Sequence, residues 1–369
     1  MNRILIYGLS NNWGGVEAIV MAIVERLSQY CQFDIIHSEF PSAYETRYGK
    51  NANIRFVHIP TWGSDRKGFV RGLKNLLQSI DYDYVWINAC IMSNVTFATV
   101  VKRNSNAKII THSHGSSFEE KNIIIRWVLL AMHYWNRKKY LKMVDIPCCC
   151  SFKSAQWFYG KNYVKKHDVY FIKNGVDFQS YRYNSDVRKK YRKELEVDDD
   201  TLVLFHAGRL TQVKNQRKLF EILQALLSKG NKALLMIAGV GELHDELLEY
   251  ASELGINHFV RFLGMRDDVN SIMQAADVFL LPSFHEGFPV TIVEAQSAGL
   301  PCLVSASLSR EIDITQSVIF IPVEARAEEW SNAIETFDSE KRYEISSLVK
   351  QRGYDIVDVA NEFKKKFLL

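Results

Sequence analysis

Two glutamates with the spacing E-x(7)-E, Glu286 and Glu294, frame the stretch Glu286-Gly287-Phe288-Pro289 and the helix that should follow it. At that spacing one carboxylate reaches into the loop and the other looks along the same helix face, both as acceptors for hydroxyls. Arg209 and Lys214 stand in a second polar loop, Gly208-Arg209-Leu210-Thr211-Gln212-Val213-Lys214-Asn215, where a forked donor and a point charge suit two neighbouring phosphates. Backbone N–H groups at a helix start near Gly287 and Phe288 would add further anion donors. Hydroxyl acceptors flanking donors for a diphosphate match a nucleotide sugar, with its ribose at one end and its sugar ring at the other. Earlier in the chain, His112 and His114 follow an apolar run, and Gly14-Gly15 with Glu17 open another helix. The cysteines are isolated (Cys31, Cys90, Cys302) or adjacent (Cys148, Cys149, Cys150), without metal-ligand spacing or the look of a disulfide framework, so reduced, buried thiols and no metal site are expected.

Strand ends must position these residues. Residues 278–281 are a short apolar run bounded by Pro282 and Ser283, the pattern of a strand buried on both faces of a parallel sheet. Pro289 fits the first turn of a helix, Val290, Val293, Glu294 and Ser297 follow at helical spacing, and Gly299 and Pro301 end it before a strand at Cys302. In such a unit the ligand sits at the carboxyl edge of the sheet. Further apolar runs at 3–8, 33–37, 54–59, 84–88, 108–111 and 146–150, then at 201–206, 233–238, 260–264 and 318–323, alternate with helical or polar segments. That alternation predicts an α/β protein with doubly wound, mostly parallel sheets. The polar segment 179–200 reads as chain leading away from a domain junction. Residues 9–15 lack G-x-G-x-x-G, which argues against a dinucleotide-dependent enzyme.

At 369 residues the chain has room for two domains, and 47% hydrophobic with 24% charged residues is a soluble globular composition. A net charge of +4 with no RNA- or DNA-binding signature implies no nucleic-acid partner. No apolar run reaches the roughly 18 residues of a membrane span, and the first one is too short for a leader, so the cytoplasm is the expected location. Residues 121–143 stand apart. From Lys121 to Lys173 eleven Lys and Arg face two acids, Asp145 and Asp168, interleaved with Trp127, Tyr134, Trp135 and Tyr140. This suits an interfacial helix on an anionic membrane, and equally a helix packed on the sheet with its basic residues outward; one face can do each.

The string Pro282-Ser283, Glu286-Gly287-Phe288-Pro289, Glu294 and Ala298-Gly299-Leu300-Pro301 resembles the donor-binding signature of the retaining glycosyltransferases of family 4, of the bacterial polysaccharide-biosynthesis type. The resemblance covers essentially the whole chain, with the specific motifs in its second half. It implies the GT-B fold, two Rossmann-like doubly wound domains facing across a cleft. The acceptor-side domain would span residues 1–172 and the nucleotide-sugar domain 173–353, entered at Asn174-Gly175-Val176-Asp177, with a terminal helix at about 354–369 packing back on the first. Catalytic roles are implied for His114, which would contact the transferred sugar, for the clamp residues Arg209 and Lys214, and for Glu286 on the sugar ring. Donor-binding roles are implied for Gly14, Gly15 and Glu17 beneath the diphosphate, for Gly208, and for Gly239 and Gly241 in the turn below it. The backbone at Phe262 and Leu263 would read the base, Gly287, Phe288 and Pro289 would present N–H donors, and Glu294 would hold the ribose.

The implied reaction is metal-independent, retaining transfer of a hexose or N-acetylhexosamine from a nucleoside-diphosphate sugar, with uridine the family-level base and guanosine open. That donor is a co-substrate, and no cofactor is implied. The acceptor would be a glycan or a lipid-pyrophosphate-linked glycan in capsule or exopolysaccharide synthesis at the inner face of the cytoplasmic membrane. Domain closure would carry Gly15 and His114 over the anomeric carbon, with front-face attack in an ion-pair-like transition state. Two alternatives share the donor: a catalytically silent nucleotide-sugar-binding subunit of an assembly complex, and a GT-B sugar-nucleotide epimerase.

Overall fold

The computed structural model describes residues 1–11, 14–37, 43–116, 122–337 and 341–368. The protein divides into two compact units, Met1–Asn174 with Val357–Leu369, and Gly175–Ile356. Each is built on one parallel sheet. The first sheet uses β1 (Asn2–Tyr7), β2 (Cys31–His37), β3 (Ile54–His58), β4 (Tyr84–Ala89), β5 (Lys108–Ser113), β6 (Ile146–Cys149) and β7 (Tyr170–Phe171), in the order β3-β2-β1-β4-β5-β6-β7. The second uses β8 (Leu202–Ala207), β9 (Ala233–Ala238), β10 (Val260–Gly264), β11 (Val278–Leu281), β12 (Cys302–Ser305) and β13 (Val318–Ile321), in the order β10-β9-β8-β11-β12-β13. In both sheets the chain starts in the middle, winds outward, returns and winds the other way. The order reverses between β1 and β4 and between β8 and β11, where loops diverge and leave a crevice.

Strands covered on both faces need apolar side chains on both, which is why they are continuous apolar runs. β9 and β11 are buried along their whole length, as are Ile4, Leu5 and Ile6 of β1. Helix residues recurring every three to four positions close the layers, for example Leu219, Leu223 and Leu226 against Leu235 and Leu280 in the second unit. The two-residue edge strand β7, exposed at both positions, has no run long enough to announce it.

The segment 179–200 is not a departing connector. It folds into helices Phe178–Tyr181 and Ser185–Glu194 and is riveted by arginine. Arg188 bonds Asp277 at 2.6 Å, and the buried Arg192 bonds the Ala275 carbonyl at 3.0 Å and Asp277 at 3.3 Å. Arg342, from further along the chain, donates to the carbonyls of Gln274 and Ala276 at 3.2 and 2.9 Å. Together they satisfy the free carbonyl end of helix Val269–Ala275. Read as letters, these arginines are surface charge; in place, they are anchors.

The helix Ile356–Phe367 passes from the second unit to the first at Val357. Within the first unit Phe363 meets Trp86 at 4.8 Å between ring centres, Phe367 meets Tyr170 at 5.3 Å, and Asn2 donates to the Leu368 carbonyl at 3.0 Å. Leu369 lies outside the described residues. None of the six cysteines forms a disulfide, and all but Cys90 are buried. Among the described residues no helix is long and apolar enough to cross a membrane.

Candidate active site

The densest group of the expected residues lies at the crevice between β8 and β11. The loop after β8 carries Gly208, Arg209 and Lys214, and the loop after β11 carries Glu286, Gly287 and Phe288. The two are stitched together. Phe284 N donates to Val213 O at 2.9 Å, and Asn215, held left-handed at φ 54°, donates through Nδ2 to Pro282 O at 3.2 Å. Ser307 braces the second loop from below through a 2.6 Å bond to Phe284 O. The result sets Lys214 Nζ 2.6 Å from Glu286 Oε1, with side chains only 20% and 15% exposed. An ammonium has three N–H donors, so this contact leaves two for phosphate oxygens.

His206, which the sequence reading passed over, lies beneath this pair. It is fully buried, its Nδ1 donates to Leu280 O at 2.9 Å, and burial lowers it to about 4, so it stays neutral. A Cβ on Gly208 would come within 3.3 Å of His206 Nε2 and 3.4 Å of Lys214 Cε, so glycine there leaves room for the lysine stem. Arg209 shares the loop but is exposed, and no hydrogen bond or ion pair holds its guanidinium among the described residues.

Gly239 and Gly241 act through backbone contact. A Cβ on Gly239, at φ 138°, would lie 2.0 Å from Gly208 O, and one on Gly241 2.2 Å from Leu210 O. The loop after β9 is thus pressed flat on the loop that carries Lys214, with Gly208 N on Ala238 O at 2.9 Å and Leu210 N on Val240 O at 3.1 Å. In β10 the register slips between Phe262 and Gly264, leaving Leu263 as an extra, unpaired residue. A bulge takes its residue's backbone groups off the ladder, and the bulge falls where backbone recognition of a base is expected.

Pro289 sits at the N-cap of helix Val290–Ser297 with ψ 124°, one position before the first helical turn, where it was expected. An extended ψ cannot continue a helix, and the helical backbone starts at Val290. Glu294, on that helix, is raised to about 7 by burial, and its hydrogen bond from Tyr181 works the other way. Tyr181 itself is pushed well up by burial and by this carboxylate. Tyr181 was missed because it lies in the segment read as a polar connector. The hydroxyls of Ser283 and Thr291, at the two ends of the same loop, are buried with no partner among the described residues.

In the first unit the expected residues surround the β1 to β4 crevice. Glu17 is 6% exposed, and its Oε1 accepts from Ser10 N at 2.8 Å, so it closes the loop before Gly14 and Gly15. Asn12 and Trp13 of that loop lie outside the described residues. His114 sits 2.9 Å through Nε2 from Asn88 Oδ1, with the His112 ring 3.9 Å away. Burial lowers His114 to about 3 and His112 well below its ordinary value, so both are neutral. His112 stacks toward Trp86 at 6.2 Å and makes no hydrogen bond through its ring among the described residues, which is the environment of a core residue.

Lys121 of the basic, aromatic segment lies outside the described residues; Asn122 caps the helix Ile123–Leu141. Of that helix only His133 and Tyr140 are buried. A polar seam pins it, with His133 accepting from Met92 N at 3.0 Å and Asn136 donating to Met92 O at 3.0 Å. Ile124, Trp127 and Trp135 are 71%, 66% and 86% exposed, far from a packed helix with only basic residues outward. Among the described residues no cluster of three His, Cys, Asp or Glu is placed to hold a metal ion.

Comparison with known proteins bears on both units. Residues 13–180 match the family described as "Glycosyltransferase Family 4", and residues 187–351 match "Glycosyl transferases group 1". The chain is 27% identical over 354 residues to "Putative glycosyltransferase EpsF" of Bacillus subtilis (strain 168), covering 93% of this chain and 90% of that relative. It is 27% identical over 263 residues to the "UDP-Gal:alpha-D-GlcNAc-diphosphoundecaprenol alpha-1,3-galactosyltransferase" of Escherichia coli, covering 69% of this chain and 66% of that one. Among solved structures, Anabaena Alr3699/HepE in complex with UDP superposes with a TM-score of 0.79 at 18% identity over 100% of both chains. With one family description over its first unit and the other over its second, on two doubly wound parallel sheets, the chain belongs to the family 4 glycosyltransferases of GT-B fold.

Proposed function

We propose that this glycosyltransferase moves a hexose or N-acetylhexosamine, with retention and without a metal, from a UDP-sugar to a glycan or lipid-pyrophosphate-linked acceptor in bacterial cell-surface polysaccharide synthesis. The observation that carries the reading is the Lys214–Glu286 pair at the crevice of the second sheet. One cation for the diphosphate and one carboxylate for the sugar ring meet where a nucleotide sugar changes from phosphate to hydroxyls. Lys214 and Arg209 would stabilise charge gathering on the departing nucleoside diphosphate, a fixed electrostatic role. Glu294 would hold the ribose, the N–H groups near Gly287 and Phe288 a phosphate, and the bulged backbone at Leu263 the base. His114 and the loop at Gly14, Gly15 and Glu17 are proposed to serve the same reaction. In that reaction the anomeric carbon leaves the β-phosphate oxygen and bonds to the acceptor hydroxyl on the same face, while the hydroxyl proton passes to the departing phosphate.

The named relative in Escherichia coli, which acts on a diphosphoundecaprenol substrate, supports a lipid-linked acceptor. So does the exposed face of helix Ile123–Leu141, which we propose docks on an anionic membrane. The test of function is a panel of nucleotide sugars, screened for thermal stabilisation and slow release of nucleoside diphosphate in buffer with EDTA, with Glu294→Ala as control. The expected result is one donor that stabilises the wild type, is hydrolysed, and loses both effects in the variant. Donors that bind without turnover would favour the silent subunit, interconversion of sugar epimers would favour the epimerase, and no binding at all would overturn the reading.

A further inference from the structure

One polar side chain at the first unit's crevice has no role in the reaction as set out above. Asn88, at the end of β4, is 4% exposed; its Oδ1 stands 2.9 Å from His114 Nε2, and its amide nitrogen has no partner among the described residues. An asparagine kept for packing alone would be expected to use both ends of its amide, because an unmet buried donor costs stability. The backbone around it is fixed by close approach. Gly8, at φ 97°, comes so near that a Cβ there would lie 1.9 Å from Asn88 O, while His114 N bonds Ala89 O at 3.2 Å. The backbone at the ends of β1, β4 and β5 is therefore held in one geometry.

Asn88 also lines a cavity of about 250 Å³, with Tyr7, Gly8, Cys90, Ser93 and Asn94, at the place where the strand order reverses. Ile87, Ile91, Phe97 and Tyr140 complete much of the lining, and no Lys, Arg, Asp or Glu is part of it.

We infer that Asn88 is a positioning residue for His114: its Oδ1 accepts the Nε2 proton, fixes the imidazole as the Nε2–H tautomer, and leaves Nδ1 bare to accept a hydroxyl of the sugar. A neutral imidazole has one proton, so the nitrogen that meets an acceptor carries it and the other becomes the acceptor. The titratable groups that face His114 are His112, two residues earlier in β5, and Cys150, whose Sγ donates to the His114 carbonyl at 3.4 Å. Burial keeps His112 neutral and pushes the Cys150 thiol up to about 12, so neither can charge the ring, and burial lowers His114 itself to about 3. The ring is an uncharged relay with a set polarity. This role rests on the glycosyl transfer proposed above.

The test uses the full chain with ¹⁵N-histidine, whose long-range ¹H–¹⁵N correlations read each ring's tautomer, the His114 signal being assigned by its loss in His114→Gln. The wild type should show Nε2–H with no titration between pH 6 and 8. Asn88→Asp can only accept, so it should keep that tautomer and add a titration, because a carboxylate stabilises the imidazolium. Asn88→Leu should lose the fixed tautomer and slow donor turnover by about tenfold or more, the direction a misplaced ring proton gives. An Nδ1–H ring in the wild type, or an Asn88→Leu protein with tautomer and turnover both unchanged, overturns the inference. If Asn88→Leu does not fold, the wild-type tautomer and Asn88→Asp decide. A wild type that turns over no donor removes the reaction, and with it this role, whatever the tautomer; an active wild type with Nδ1–H removes the role of Asn88 alone.

Discussion

Lys214 is the residue whose removal should separate binding from chemistry. Its Nζ lies 2.6 Å from Glu286 Oε1, so part of its charge is met by a carboxylate of the protein itself, and what it adds on reaction is charge stabilisation. Lys214→Ala is expected to lower turnover by about tenfold to a thousandfold, and by more than it weakens donor binding. Single-turnover rates set against calorimetric Kd values check this, and unchanged turnover would take Lys214 out of the clamp. Glu294 gives a second, pH-dependent signature. Its carboxyl is raised to about 7 from an ordinary 4.5, so between those values the folded protein holds a proton that the unfolded chain has lost. Stability should therefore fall as pH rises through that window. Glu294→Gln escapes the penalty and should be more stable than wild type at pH 8 by about 1–3 kcal/mol, with no difference near pH 4. Its donor affinity should be lower and nearly flat with pH, whereas wild-type affinity should rise between pH 6 and 8 as the acceptor ionises. Melting curves and donor titrations at the two ends of that range read both. Lys214, Glu286 and Glu294 can be named as candidates from the sequence because they lie in contiguous strings of unusual types. Tyr181, His206 and Asn88 were not legible, since each acts through a partner far away in the chain, and such pairing leaves no local pattern.

At the level of elements, the strands were the most legible part, because burial on both faces forces uninterrupted apolar runs. Helices Phe178–Tyr181 and Ser185–Glu194 were hidden for the opposite reason. The second is anchored by its own Arg188 and Arg192, which are compensated by helix-end carbonyls and Asp277, and no hydropathy pattern reveals a compensated charge. The helix Ile123–Leu141 was legible as unusual but not in its orientation. Its buried contacts are a histidine and a tyrosine, and its large apolar side chains point outward. If that face meets lipid, Ile124→Glu with Trp135→Glu should abolish co-sedimentation with anionic liposomes at low salt and leave turnover of free donor within about twofold. Undiminished sedimentation of the double variant, or none by the wild type, would remove the membrane from the proposal.

At the level of the whole molecule, each unit has its own sheet and core, but only the second is continuous in the chain. The first is completed by the residues after Val357. Phe363, packed on Trp86, is 2% exposed, so Phe363→Ala should cost the first unit about 3–5 kcal/mol. In a calorimetric scan the transition belonging to that unit should move down while the other stays in place. A single transition that shifts as one would show that the units melt together. The discontinuity also sets an order of events during synthesis. At about 5–20 residues per second, the ribosome needs on the order of 10–40 s to pass from the end of the first unit's main segment to the helix that finishes it. During that interval the Trp86 face of a nearly complete sheet waits uncovered while the second unit, though made later, can already close. The half of the protein that is born first is the half that matures last, and its exposed face is where a nascent-chain chaperone would find its substrate.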